Sequence, residues 1–448
     1  MKNPSSQQVG LLFSVSSAIV LINCLGAAFS SHRLLHAQST TAAAPAHAIV
    51  HTYKTGSKLF LDNGTVKVGI DTAWGGTITD VIWHNMNFVN SYDNGREVQV
   101  ALYDGAPYPP CGDCTGASGW DPVQGGDHFH HGSPVVDQKL GPDFLYTKTK
   151  PYQWTPENKG GDKDHPVSSD VFIEQWISFL PDNPSGIRVH YKVTYFGKEP
   201  HYNTFQEFPA VYTNWEYGKF VYYGGDTPWT NGPLSFFTMP DRPKTSPPLY
   251  DPEQWGALVN DEGLGLAVYV PGQYPYESGF RRAPDASKNS GANYFFPRIP
   301  FSFGPGGVLE GYVYLFAGDY KNARQTFYAL HQRFPAGDFL PPYGFVDRPK
   351  QNDRVSGTID VSGWAFDNTK VARVKVYVDE KFVGTADYGT KADVSQIWSH
   401  TSPQLGFHYN LTTSGYSRGQ HVLGVDVEDT GGNTAVLSRI PLTIENHP

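Results

Sequence analysis

Apolar and polar residues alternate through most of this chain. In KLFLDNGTVKVGIDTAWGGTITDVIW, residues 58–83, Val66, Val68 and Ile70 fall on one side of an extended strand, and Ile78 and Ile82 on one side of the next. Asn63-Gly64 supplies a hairpin turn, because both residue types tolerate the left-handed backbone a tight turn needs. Gly75-Gly76 breaks the following pair. The same period returns in DVFIEQWISFL, GIRVHYKVTYFG, TFQEFPAVYTN and GKFVYYGG, then in WGALVNDEGLGLAVYVPG and NYFFPRIPFSFGPGGVLEGYVYLFAG. One stretch changes period. In DYKNARQTFYALHQRF, residues 319–334, Ala323, Phe327 and Leu330 recur at spacings of four and three, which predicts a helix. Asp319 is placed to cap it, and Pro335 follows its end.

Two excursions interrupt the strands. Residues 105–168 are dense in Gly, Pro, Asp and His, and residues 226–256 in Pro and Trp. Loops of that length inside a folded domain are commonly functional. Pro341, Pro342 and Pro349 mark a boundary, after which short alternating strands with Gly, Asp and Asn turns predict a separate β-sandwich. The expected organisation is a signal peptide over 1–30, a low-complexity linker over 31–54, a β-rich body over 55–340, a Pro-rich linker over 341–354 and a sandwich over 355–445. The fold class is all-β: a large sandwich or supersandwich with long loops, then a small Ig-like sandwich.

The N-terminus shapes the expected location. Lys2 precedes an apolar stretch from Val9 to Phe29, and small residues suited to cleavage follow at Ala28-Phe29-Ser30 and Ala46-His47-Ala48. This reads as a secretory signal, with a retained anchor as the alternative. Lipidation at Cys24 is disfavoured by Asn23, which is not small. No later apolar run is long enough to span a bilayer, so the expected mature protein is secreted or periplasmic, without stable membrane insertion.

Composition narrows the partner. Of 448 residues, 14% are aromatic and only 17% charged, and the net charge is −9. No basic stripe is present for nucleic acid. A surface rich in Tyr and Trp suits stacking on sugar rings, although aromatics also favour strands for packing reasons alone.

In the tail, VSGWAFDN, VARVKVYVDEKFVGTADYG and HVLGVDVEDTGGNTA resemble bacterial Ig-like modules of secreted proteins. Such modules serve as spacers or adhesive appendages. In the body, GTVKVGIDTAWGGTITDVIWHNMNFVNS resembles the opening strands of the galactose-mutarotase-like β-supersandwich. That superfold includes sugar epimerases, glycosidases and polysaccharide lyases, and fold alone does not choose among them.

Candidate chemistry concentrates in PPCGDCTGASGWDPVQGGDHFHHGS, residues 109–133. In an exported protein, Cys111 and Cys114 are expected to form a disulfide. The spacing also permits a zinc site made by Cys111, Cys114, His128 and His130, and a redox dithiol is a third reading. Otherwise no cofactor is expected. On a strand, His128 and His130 share a face and His131 points away. Asp127, His128 and His130 are candidate acid/base groups, with His131 beside them as a substrate contact; the plain alternative is a His-rich polar loop. Glu207, between Phe205 and Pro209, is the candidate catalytic carboxylate, because apolar surroundings raise a carboxyl pKa toward neutrality. A structural buried carboxylate is its alternative. Glu174 and Glu310 have similar contexts, and two acids facing one cleft would suit glycoside hydrolysis. Arg96 and Gln99 are candidate substrate-binding groups, with an ion pair from Arg96 to Asp93 or Glu97 as the alternative. Trp120, Trp154, Trp229 and Tyr223 are candidate stacking platforms, with core packing as the alternative, above all for Tyr223. No phosphate loop, G-x-S-x-G elbow or H-E-x-x-H sequence is present. The expected function is a polysaccharide-degrading hydrolase or lyase; the alternatives are a non-catalytic glycan-binding or cell-surface protein and a metal-dependent exported protein.

Overall fold

The structure is a computed structural model. It describes residues 49–90, 92–104, 120–240, 248–282, 291–334, 338–392, 394–396 and 398–446. The predicted signal peptide, most of the linker after it, Cys111 and Cys114 lie outside the described residues. Among the described residues, no helix is long and apolar enough to cross a membrane.

Among the described residues the fold is all-β apart from one α-helix and two short 3-10 turns, and the strands form three sheets. The first sheet runs through neighbouring strands Lys58–Asp62, Val66–Asp71, Thr77–Trp83, Val98–Ala101, His201–Asn214 and Ala292–Pro297. The second orders Lys219–Tyr222, Trp255–Val259, Leu264–Tyr269, Val308–Asp319, Asn183–Tyr195, Val171–Leu180 and Phe144–Thr149. Both are antiparallel between these neighbours. One core draws on both sheets: Val66, Val68, Val98, Val211 and Phe295 from the first, Ile173, Ile177, Val189, Val193 and Val313 from the second. Apolar burial on this scale is the main favourable term in folding.

The two-residue period holds with one interruption. Val66, Val68 and Ile70 are fully buried, as is Ile78. Ile82 is not; Val81 takes the buried position. Gly69 pairs with Asp80 but Ile70 pairs with Ile78, so Thr79 is an extra residue in its strand. This β-bulge reverses the facing of the residues beyond it.

The helix spans Tyr320–Arg333, and the Asp319 carboxylate accepts a hydrogen bond from the Lys321 amide at 2.7 Å. Ala323, Phe327 and Leu330 are buried against Val221, Trp255, Ala257, Tyr269 and Phe316, on the outer face of the second sheet.

The third sheet has eight strands and its own core, including Val361, Val374, Val376, Phe407, Val425 and Ile440. It begins earlier than the sequence suggests. Residues 343–348, expected inside a Pro-rich linker, form the strand Tyr343–Arg348 and pair with Thr358–Phe366. The sheet is also joined to the body. Phe366, Trp398 and Leu405 belong to the body's core cluster. The fully buried Tyr274 donates toward Pro341 O at 3.0 Å and Asp367 Oδ2 at 3.1 Å.

Candidate active site

The strands Val98–Ala101, His201–Asn214 and Ala292–Pro297 lie side by side in the first sheet. Their alternation fixes two faces. Val98, Phe208, Val211 and Phe295 point into the shared core. Ala210, Tyr212, Ala292 and Tyr294 form a small separate cluster on the opposite face. Gln99 is paired with Ala210 and Glu207 with Ala101, and the register shifts between Glu207 and Ala210.

Glu207 is 8% exposed. The Tyr294 hydroxyl donates to its Oε1, and the Tyr103 phenol lies close enough to feel the same carboxylate's charge. Tyr212 stacks on Tyr294 with centroids 4.5 Å apart. Burial first, then the charge of Glu207, holds the Tyr103 and Tyr294 phenols well above the ordinary tyrosine range. Both therefore remain O–H donors at neutral pH.

Two further carboxyls on this side of the sheet are displaced toward neutrality. Burial pushes Glu97 up to about 7, partly opposed by backbone hydrogen bonds and by the Thr77 hydroxyl, which donates to Oε2 at 3.1 Å. Burial pushes Asp121 up to about 6, opposed by hydrogen bonds from Thr155. The Thr155 amide reaches Asp121 Oδ1 at 3.3 Å, and among the described residues no donor reaches Oδ2. The Asp121 charge acts on Tyr103 in turn, linking this carboxyl to the Glu207 group.

The segment 120–133 is irregular apart from the short strand Pro122–Val123, which pairs with Ala101 in the first sheet. Gln99 Oε1 accepts the Gly125 amide at 2.8 Å. A Cβ on Gly125 would lie 2.2 Å from the Gly95 carbonyl oxygen, so only glycine permits this approach. Because His128–His131 lie in turns, the strand rule for their facing does not apply. Each histidine takes a different carboxylate. His128 Nε2 is 2.9 Å from Glu157 Oε2, His130 Nδ1 is 3.9 Å from Asp93 Oδ1, and His131 Nδ1 is 2.8 Å from Asp127 Oδ2. Asp127 is buried and also accepts the Phe129 and His131 amides, so both its oxygens hold its own loop. Arg96 stacks on Trp154, its Cζ 3.4 Å from the ring centroid, and its Nε lies 3.6 Å from Asp93. His128 lies 5.6 Å from the same indole, centroid to centroid. The Trp154 amide donates to the Asp121 carbonyl at 2.8 Å. Arg96, Trp154, His128 and Asp121 thus form one connected group, and of its members Asp121 acts on Tyr103.

Other sequence candidates lie elsewhere. Trp120 is no exposed platform: it is 2% exposed, stacks on His201 at 3.8 Å and donates to Asp170 at 2.7 Å. Its loop turns inward there because Asp104, at 3.0 Å from His201 Nδ1, fixes the imidazole on which it stacks. This Asp104–His201 pair was not foreseen, since its partners stand 97 residues apart with no local signature. Tyr223 and Trp229 belong to the helix side of the second sheet. Tyr223 is buried and donates to Thr227 O at 2.9 Å, and Trp229 stacks on His331 at 3.7 Å. They surround the buried Glu253, which pairs with Arg324 at 3.0 Å. Glu174 and Glu310 also lie on the second sheet, each paired in register with Lys192 on the strand between them. Tyr103 and Tyr294 were missed, although the phrases VALYDG and GANYFF place a tyrosine at a strand end and in a strand interior.

Among the described residues, one group has the spacing of metal ligands: Asp338, Asp367 and Asp429. None of the three histidines belongs to it.

The chain matches no curated protein. It is weakly similar to several solved structures. A polysaccharide lyase aligns at 10% identity and TM-score 0.32, over 88% of this chain and 48% of its own. A protein from Klebsiella pneumoniae subsp. pneumoniae, assigned as an aldose 1-epimerase, aligns at 10% identity and TM-score 0.37, over 65% of this chain and 88% of its own. The heparan sulfate lyase of Pedobacter heparinus aligns at 10% identity and TM-score 0.29, over 71% of this chain and 40% of its own. This chain thus spans less than half the length of either lyase. Residues 345–425 match the bacterial Ig domain family, and the eight-stranded third sheet contains that domain.

Proposed function

We propose that this chain is an exported carbohydrate-active enzyme, a hydrolase or lyase of polysaccharides, with Glu207 as its acid/base group. The observation that carries the reading is a buried carboxylate in an apolar sheet with the Tyr294 phenol hydrogen-bonded to it and the Tyr103 phenol nearby. A carboxylate so held can take a proton, and a phenol beside it can deliver one. Asp121, near 6, is a second carboxyl that changes charge close to neutrality, as a partner in proton transfer requires. Arg96, held flat on Trp154, offers a fork for sugar hydroxyls or a uronate carboxylate. The His128 and His130 loop borders this group, with Glu157 and Asp93 as their partners. The chemistry is proton transfer and takes no cofactor.

A second reading, glycan binding without turnover, is favoured by the burial of Glu97, Asp121 and Glu207 among the described residues. Incubation with a panel of polysaccharides separates the two. New reducing ends with ultraviolet absorbance from a new carbon–carbon double bond indicate a lyase, and reducing ends alone a hydrolase. Binding without product supports the second reading.

A further inference from the structure

The helix Tyr320–Arg333 covers only part of the second sheet's outer face. On the strands beyond it, Tyr146, Trp176, His190 and Tyr312 stand directly opposite one another, on four neighbouring strands. Their ring centroids are 5.0, 4.9 and 4.7 Å apart in that order. Tyr312 is 46% exposed.

The two sides of this aromatic row differ. On one side the same register lines up Lys148, Glu174, Lys192 and Glu310. Their charges are matched: Lys148 to Glu174 and Lys192 to Glu310, each at 4.0 Å, with His190 2.8 Å from Glu310. On the other side the register lines up Phe144, Ser178, Arg188 and Tyr314. Ser178 is far smaller than its neighbours, and a cavity of about 380 Å3 opens over it. Its lining includes Asp143, Phe144, Trp176, Arg188 and His190. Arg188 is exposed, and no ion pair joins it or Asp143 to another described residue.

We infer that this cavity is an accessory binding site for a sugar unit of a polysaccharide chain, separate from the Glu207 site. A pyranose ring has an apolar C–H face and a rim of hydroxyls. Trp176 and Phe144 supply apolar walls for the face. Asp143 accepts from hydroxyls, and the Arg188 fork donates to vicinal hydroxyls or to a carboxylate on the ring. The volume falls within the range of ligand pockets, roughly 300–1,000 Å3. The matched charges on one side confine the chain to the other. The core between the two sheets separates this face from Glu207, so a bound polymer is held on the far side of the sandwich from the candidate catalytic group. Only the choice of a glycan as ligand rests on the proposed function.

The test measures binding of soluble mannan, xylan, alginate and polygalacturonate by full-length Glu207→Gln protein, using calorimetry and tryptophan fluorescence. At least one polymer is expected to bind. Trp176→Ala and, separately, Arg188→Ala are expected to weaken it about tenfold or more, a change of about 1.4 kcal/mol. Circular dichroism confirms that each variant is folded; Arg188, on the surface, is the safer of the two. No binding to any polymer, or undiminished binding by both variants, overturns the inference. Digestion of a polymer by Glu207→Gln sinks the catalytic reading alone and leaves a Trp176-dependent interaction standing.

Discussion

The hydroxyl of Tyr294 donates to the carboxylate of Glu207 across two neighbouring strands of the first sheet. The pair joins a group that can accept a proton to a phenol that burial keeps protonated. Replacing Tyr294 by Phe removes the donor and little volume. The expected result is a fall in polysaccharide turnover with the fold retained. Loss of one partner of a buried hydrogen bond costs about 1–3 kcal/mol in unfolding free energy. Steady-state kinetics and denaturant unfolding check the two halves of this prediction.

Glu97 makes stability depend on pH. Its folded pKa, about 7, lies above the unfolded value of 4.5. The folded state then holds a proton that the unfolded state has released between these values. Stability from this group is present below the unfolded pKa and falls as pH rises through the folded pKa. The loss is on the order of 3 kcal/mol. Glu97→Gln cannot ionise, so its stability should exceed that of the parent at pH 8 and change less between pH 5 and pH 8. Urea unfolding at both pH values decides it; an identical pH profile in the two proteins contradicts the account.

On the other side of the sandwich, Glu253 is fully buried and accepts from Arg324, from the Trp255 indole and from Tyr328. Arg324→Met leaves that charge without its cation and should cost about 3–5 kcal/mol. The midpoint of guanidinium unfolding measures it. Sugar binding at the Trp176 face should survive wherever the protein remains folded.

If the chain is exported as proposed, Cys111 and Cys114 are expected to be joined. A loop this short gains little global stability from closure. The expected intact mass without reductant is lower by two hydrogens than after reduction. Two free thiols with stoichiometric zinc by elemental analysis would instead establish the metal alternative with His128 and His130.

Much of the fold was legible because two-residue alternation reports directly on a sheet with one buried face. Val66, Val68 and Ile70 obey it, and Ala323, Phe327 and Leu330 obey the helical period equally well. The error at Ile82 came from a single inserted residue, Thr79, which alternation alone does not reveal. The site was legible only in part. Glu207 stood out as an acid in an apolar strand, but its partner Tyr294 lies 87 residues away and arrives through strand order. Trp120 and Trp229 were placed in loops correctly, yet loop aromatics also turn inward: Trp120 meets His201 and Trp229 meets His331. Asp127 was expected to act with His128 and His130, but its carboxylate is held by the Phe129 and His131 amides and the His131 ring of its own turn.

The most direct test of the account is the rate at which purified full-length protein and its Glu207→Gln variant release reducing ends from a polysaccharide panel. The account predicts product from at least one polymer with the parent. It predicts a rate about 100- to 10,000-fold lower with Glu207→Gln, the usual contribution of a positioned acid or base, at unchanged circular dichroism. Equal rates for the two proteins, or no product from any polymer with either, would contradict it.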